Sequence, residues 1–213
     1  MKTLSPSILA ADLLNLGAEI KKIEKSGAKY VHIDVMDGTF VPNISFGMPI
    51  ISAVNKCTDL VLDVHLMITE PDRYFDDVIA CGADIITFHA EALSSERIEK
   101  ACNYIRSKGK KVGISIKPNT PVSTVIPYLD IIDMLLIMTV EPGFGGQSFM
   151  PKTMEKIVEI RKINKEIDIQ VDGGINKETI KIANSAGANI FVLGTGFFKS
   201  EKDITLEELL NEE

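Results

Sequence analysis

Two pairs of residues, His32 with Asp34 and Asp63 with His65, sit two apart in the short apolar runs YVHID and LVLDVHL. Side chains two apart on a strand share a face, so each pair presents an imidazole beside a carboxylate. Asp172 closes another such run, IQVD. If these faces turn into one interior, His32, Asp34, His65 and Asp172 make a two-histidine, two-carboxylate metal site. Imidazole and carboxylate donors suit Zn²⁺, Fe²⁺, Mn²⁺ or Co²⁺ better than Mg²⁺ or Ca²⁺. A lone strand histidine is ordinarily a satisfied polar residue, but two of the chain's three histidines lie on adjacent strands beside aspartates, which favours a metal. The third, His89, has no equally good partner pattern and is read as structural or as a support to the ligands.

Glycine clusters suggest a second chemistry. PGFGGQ, DGG and GTG follow three successive late strand candidates. Glycine lets backbone N–H groups approach an anion closely, and a following helix N-terminus favours negative charge. Three such loops together point to a phosphate.

The elements that must position these residues alternate along the chain. Strand candidates fall at 4–8, 30–34, 60–66, 84–89, 111–116, 134–138, 169–172 and 190–194, with amphipathic stretches between them. The first such stretch carries Leu13, Leu16, Ile20 and Ile23 on one face and ends at Gly27. Another opens on Pro71 and stops at Gly82, and a third opens loosely on Ser94 and stops at Gly109. This amounts to eight β-then-α units of about 26 residues in a chain of 213, with strands that read as buried on both faces, as in a parallel sheet. A single (β/α)₈ barrel over 1–213 is expected, with its site at the C-terminal strand ends. An open doubly wound sheet is the alternative, because periodicity alone does not show closure.

Composition narrows the function. Apolar residues make up 45% and charged residues 25% of the chain, and the net charge is −7. That charge argues against a general binder of nucleic acid or anionic membranes. Cys57, Cys81 and Cys102 are odd in number and far apart, so a reducing compartment, the cytoplasm, is expected rather than a disulfide framework. No run reaches the ~20 apolar residues of a membrane span, and the first residues are too interrupted for a signal peptide.

The segments SPSILAAD (5–12), HIDVMDGTFVPNISFG (32–47), DVHLMITEP (63–71), MTVEPGFGGQSF (138–149) and VDGGIN (171–176) occur in an order and spacing that resembles the ribulose-phosphate 3-epimerase family over nearly the whole chain. The resemblance implies a metal-dependent isomerase of the pentose phosphate pathway. It would interconvert D-ribulose 5-phosphate and D-xylulose 5-phosphate by two-base proton transfer at C3 through an enediolate, with one divalent ion per subunit. It implies His32, Asp34, His65 and Asp172 as ligands, and Asp34 and Asp172 as the catalytic carboxyls. Ser7, His65, Gly143, Phe144, Gly145, Gly146, Asp172, Gly173, Gly174, Gly194 and Thr195 would contact the sugar phosphate, and Met36, Met67 and Met138 would line the sugar site. A homo-oligomer is also implied. Thr195, where the family more often has serine, also occurs in allulose-phosphate 3-epimerases, so a hexulose phosphate is the alternative substrate. A decarboxylase or aldolase fits less well: DVHLMI places His65 and Ile68 where related decarboxylases carry lysine and aspartate, and Lys117 sits in the turn-like KPNTP. A non-catalytic phosphate-binding barrel would need neither aspartate.

Overall fold

The computed structural model describes residues 2–200 and 204–210. Eight strands, β1 (Thr3–Pro6), β2 (Tyr30–Met36), β3 (Val61–Met67), β4 (Ile85–His89), β5 (Lys111–Ile116), β6 (Met134–Met138), β7 (Asp168–Asp172) and β8 (Ile190–Leu193), form one parallel sheet. Its order is β1-β8-β7-β6-β5-β4-β3-β2. A parallel bridge between Ser7 and His32 joins the two ends. The sheet therefore closes, and the fold is a (β/α)₈ barrel rather than an open doubly wound sheet.

Alternation along the strands decides what faces what. Ile33, Val35, Val64, Leu66, Ile86, Phe88, Ile114, Ile137 and Val171 belong to the large buried cluster shared with the surrounding helices. Each such side chain contributes about 1.5–3 kcal/mol by leaving water. The opposite parity is unusually polar. Ser5, His32, Asp34, Asp63, His65, Thr87, His89, Ser115 and Gln170 are all buried. Toward the other end, Ile85, Met134 and Ile190 make a small apolar cluster of their own. The register pairs His32 with Asp63 and Asp34 with His65 across β2 and β3, so the two motifs lie side by side.

The helices are α1 (Leu16–Lys25), α2 (Met48–Asn55), α3 (Phe75–Ala80), α4 (Ser95–Ser107), α5 (Met154–Ile163), α6 (Thr179–Ala186), α7 (Thr195–Phe198) and α8 (Leu206–Leu210). None of the described helices is long and apolar enough to cross a membrane. Several expected details differ. The first strand stops at Pro6, because Ser7 turns the chain: its hydroxyl accepts from Leu9 N–H and caps a 3₁₀ turn, Ile8–Ala10. Leu13 is not on the buried stripe. It lies in a 3₁₀ turn capped by Asp12 and is 49% exposed, so the stripe is carried by Ile20 and Ile23. Pro71 opens a 3₁₀ turn, Pro71–Tyr74, ahead of α3. Ser94 takes the N-cap position of α4 without a side-chain cap. Gly194 ends no strand; it precedes α7. The fifth unit has no α-helix: Val122–Thr124 and Ile126–Tyr128 are 3₁₀ turns, in a stretch where Pro118, Pro121 and Pro127 remove the N–H groups a helix needs.

Candidate metal centre and cavity

The C-terminal end of the barrel opens into a cavity of about 740 Å³. Ser7, Asp34, Met36, Met67, Met138 and Asp172 line it, together with Gly143–Gly146, Gly173, Gly174, Gly194 and Thr195. All the residues expected to contact substrate are thus brought together except His65, which is fully buried behind this lining. Neighbours not singled out in the sequence also line the cavity, among them Asn176, Thr179 and Gly196. Their loops carried the signal: Asn176 lies in VDGGIN and Gly196 in GTG. No lysine or arginine is found among the described residues that line the cavity.

Below the opening, His32, Asp34, His65 and Asp172 each offer a ligand atom, all within 4.8 Å of one another. Asp34 Oδ1 lies 3.2 Å from His32 Nε2 and 3.1 Å from His65 Nδ1. Asp172 Oδ2 lies 3.9 Å from the same His65 nitrogen. Two donors on opposite sides of one transition-metal ion stand roughly 4 Å apart, so the cluster has the right size. The orientation of His32 supports a cation more directly. Its Nδ1 lies 2.7 Å from Asp63 Oδ2, which holds a proton there and leaves Nε2 as the nitrogen that faces the cluster, with Asp34 Oδ1 3.2 Å away. That buried nitrogen has no hydrogen-bond partner. Asp63 Oδ2 also accepts from Gln170 Nε2 (2.5 Å) and Ser5 Oγ (3.0 Å). A carboxylate behind a histidine in this way fixes its tautomer and raises its basicity as a ligand. Asp63 stood in the quoted motif, but its partners come from β1, β2 and β7, which only the closed barrel brings together.

The two cavity-facing carboxyls differ electrostatically. Burial would raise Asp34, but with no cation bound the positive charge of His32 and the hydrogen bond from His65 outweigh it and hold the carboxyl well below its ordinary range. Asp172 is pushed up to about 7, first by burial and then by the negative charge of Asp34. Ser7 Oγ donates to Asp34 Oδ2 at 2.5 Å and favours its anion. Asp172 has no comparable donor, and its side chain is 17% exposed to the cavity. With no cation bound the two carboxyls are driven apart, Asp34 ionised and Asp172 divided between its two forms near neutrality, an inequality that suits a proton-transferring site.

The late loops are built for close backbone approach. Gly174 adopts φ +66°, and a Cβ there would lie 2.6 Å from Phe149 N and 3.0 Å from Gln147 O. Because those contacts are backbone, relief would require moving the 143–149 loop. Asn43 Nδ2 donates to Gly143 O at 2.8 Å, tying the loop after β2 to the loop after β6 across the mouth.

Fold and site together define a (β/α)₈ barrel with a buried histidine–aspartate cluster that could hold a metal ion beneath a glycine-lined cavity. A family model described as the ribulose-phosphate 3 epimerase family matches residues 3–198, and the chain belongs to that family. It is 45% identical over 215 residues to the ribulose-phosphate 3-epimerase of Bacillus subtilis (strain 168), covering 98% of each chain. It is 43% identical over 198 residues to the cytoplasmic isoform from Oryza sativa subsp. japonica, covering 92% of this chain and 86% of that one. Among solved structures, a mutant tryptophan synthase α-subunit from Pyrococcus furiosus superposes with a TM-score of 0.73 at 14% identity, covering 93% of this chain and 91% of that one. A 3-hexulose-6-phosphate synthase superposes with a TM-score of 0.67 at 20% identity, covering 94% and 93%. At such identities these two speak to the fold alone.

Proposed function

We propose that the chain is a ribulose-phosphate 3-epimerase that interconverts D-ribulose 5-phosphate and D-xylulose 5-phosphate. The observation that carries this reading is the pair Asp34 and Asp172. They are two cavity-facing carboxyls from strands three steps apart round the barrel, driven toward opposite protonation states. Inversion at C3 requires a base on one face of the sugar and an acid on the other. The ionised carboxyl takes the C3 proton, the protonated one returns a proton to the opposite face, and the direction of reaction decides which does which.

His32 Nε2, His65 Nδ1, Asp34 and Asp172 are the residues that would hold a divalent ion. Fe²⁺, Zn²⁺, Mn²⁺ and Co²⁺ suit this donor set. When bound, such an ion supplies Lewis acidity toward the negative charge that develops on the sugar oxygens as the enediolate forms. The other roles belong to the protein. Ser7 and the histidines orient Asp34. Met36, Met67 and Met138 give the reacting end of the sugar an apolar floor. The phosphate is read as held by backbone N–H groups of the Gly143–Gly146 loop with Phe144, by Gly173 and Gly174, and by Gly194 and Thr195 at the start of α7, since no described cationic side chain lines the cavity. Residues 1–213 are read as one catalytic domain, acting in the cytoplasm as a homo-oligomer.

The test is solvent exchange. Metal-loaded protein incubated with ribulose 5-phosphate in D₂O should label C3 and yield xylulose 5-phosphate, followed by NMR. Absence of both would refute the reading, and faster turnover of allulose 6-phosphate would reassign the substrate. Gly174→Ala tests the loop: it should raise KM about tenfold, a loss of about 1.4 kcal/mol in binding, while kcat stays within about threefold. An unchanged KM would remove Gly174 from the phosphate site.

A further inference from the structure

His89 ends β4 and is completely buried. Its Nε2 lies 3.0 Å from Nε2 of His65, with ring planes 25° apart and centroids 5.0 Å apart, so the two rings meet nearly end to end. Its Nδ1 lies 3.2 Å from Glu91 Oε2. The other oxygen of Glu91 accepts from the backbone N–H of Lys117 at 2.8 Å and from the Thr120 hydroxyl. Phe40 packs on His89 at 4.8 Å. Carboxylate and two imidazoles thus form a continuous line that ends on the nitrogen of His65 facing away from Asp34.

The line has a direction. Two facing Nε2 atoms make a hydrogen bond only if one donates and the other accepts. A Glu91 carboxylate accepts, so His89 carries its proton on Nδ1 and presents a bare Nε2. His65 must then be protonated on Nε2, and its Nδ1 keeps a lone pair. The reverse arrangement would let Nδ1–H of His65 donate to Asp34 Oδ1, 3.1 Å away, but would turn the lone pair of His89 Nδ1 against the buried Glu91 carboxylate; once a cation replaces the proton between His65 and Asp34, only the first direction leaves every lone pair with a partner.

We propose that Glu91 and His89 are positioning residues that hold His65 in the tautomer able to bind a cation through Nδ1. This rests on the reading of His65 as a ligand given above. His32 is set by Asp63 directly, and His65 by Glu91 at one imidazole's remove. The two metal-site histidines thereby use opposite ring nitrogens, each fixed by its own carboxylate.

Glu91→Gln tests this with little change of shape. The amide oxygen stays with the Lys117 N–H, which needs an acceptor, so the NH₂ faces His89 Nδ1 and reverses the line. Cobalt affinity, measured by chelator competition on the full-length protein, should fall 10–100-fold, and the visible spectrum of the Co²⁺ form should change. Thr120→Val removes a bond to Glu91 without reversing anything, and its affinity should stay within about threefold of wild type. Wild-type affinity and spectrum in Glu91→Gln, or equal losses in both variants, would overturn the relay alone. Failure of the wild-type chain to bind Co²⁺ would overturn the ligand reading and the relay with it. Nitrogen-15 shifts of the imidazoles in the Zn²⁺-loaded wild-type protein give an answer that needs no variant: His89 protonated on Nδ1 supports the relay, and His89 protonated on Nε2 refutes it.

Discussion

Replacing Asp172 with asparagine should lower kcat by at least about 10³-fold in protein saturated with metal. Positioned proton transfer accounts for roughly 10²–10⁴-fold in rate, and Asp172 is also one of the four candidate ligands. A carboxamide fits the same space at the end of β7 but cannot carry a proton. The fold should survive, because Asp172 accepts no side-chain donor comparable to Ser7 on Asp34, and its burial costs rather than contributes stability. The two-base scheme adds a sharper expectation. With Asp34 still present, the variant should retain slow exchange of the C3 proton of one epimer with solvent while forming none of the other. Epimerisation within tenfold of wild type would refute the scheme.

Removing the metal should abolish activity and lower the melting temperature, and re-adding Fe²⁺, Mn²⁺, Co²⁺ or Zn²⁺ should restore both. A ligand present at a hundred times its Kd stabilises the folded state by about 2.7 kcal/mol, which is about 5–10 °C for a domain of this size. The effect should depend on pH. Burial and the Asp34 charge push the carboxyl of Asp172 up to about 7, against an ordinary value of 3.8, so the folded state holds this proton more tightly than the unfolded chain. Its contribution to the chelated protein is therefore best below about pH 4 and declines as pH rises toward 7. Asp34 has the opposite sign, with stability lost as pH falls below the carboxylate range, and His65 and His89, held below the usual imidazole range by burial, favour the fold as pH rises, so the Asp172 component is read as a difference from its variant. Because a cation binds the ionised carboxylate, the gap in melting temperature between loaded and chelated protein should widen from pH 5 to pH 7.5. Asp172→Asn should remove this component, so its chelated profile between about pH 5 and pH 7 should fall less, or rise more, than that of the wild type. Melting curves that ignore the chelator at every pH would refute the metal site.

The strands were legible because their signal is local. The spans 111–116 and 134–138 match β5 and β6 to the residue, since a buried parallel strand is a run of β-branched and apolar residues between turns. His32 with Asp34 and Asp63 with His65 could be assigned to shared faces from alternation alone. What alternation cannot supply is contact between distant strands. The meeting of Asp63 with Gln170 crosses 107 positions, and the line from His65 through His89 to Glu91 needs the register that sets His65 beside Thr87. Leu13 was misplaced for a related reason: its spacing suits the α1 stripe, but Asp12 offers Leu14 N–H a competing local bond, and the chain takes a tight turn first.

The proposed anion cradle, made of amides rather than lysines, has a kinetic corollary. Amide dipoles act over a few ångströms, whereas the net charge of −7 acts over a Debye length. A doubly charged sugar phosphate approaching from bulk solution therefore meets repulsion before it meets its pocket. Association is unsteered, and added salt speeds the encounter by screening it, the reverse of barrels that recruit anions with a basic rim. Selectivity then lies wholly in the fit after arrival. Ambient anions are not concentrated at the mouth, and the free site stays clear of competitors that a cationic funnel would gather.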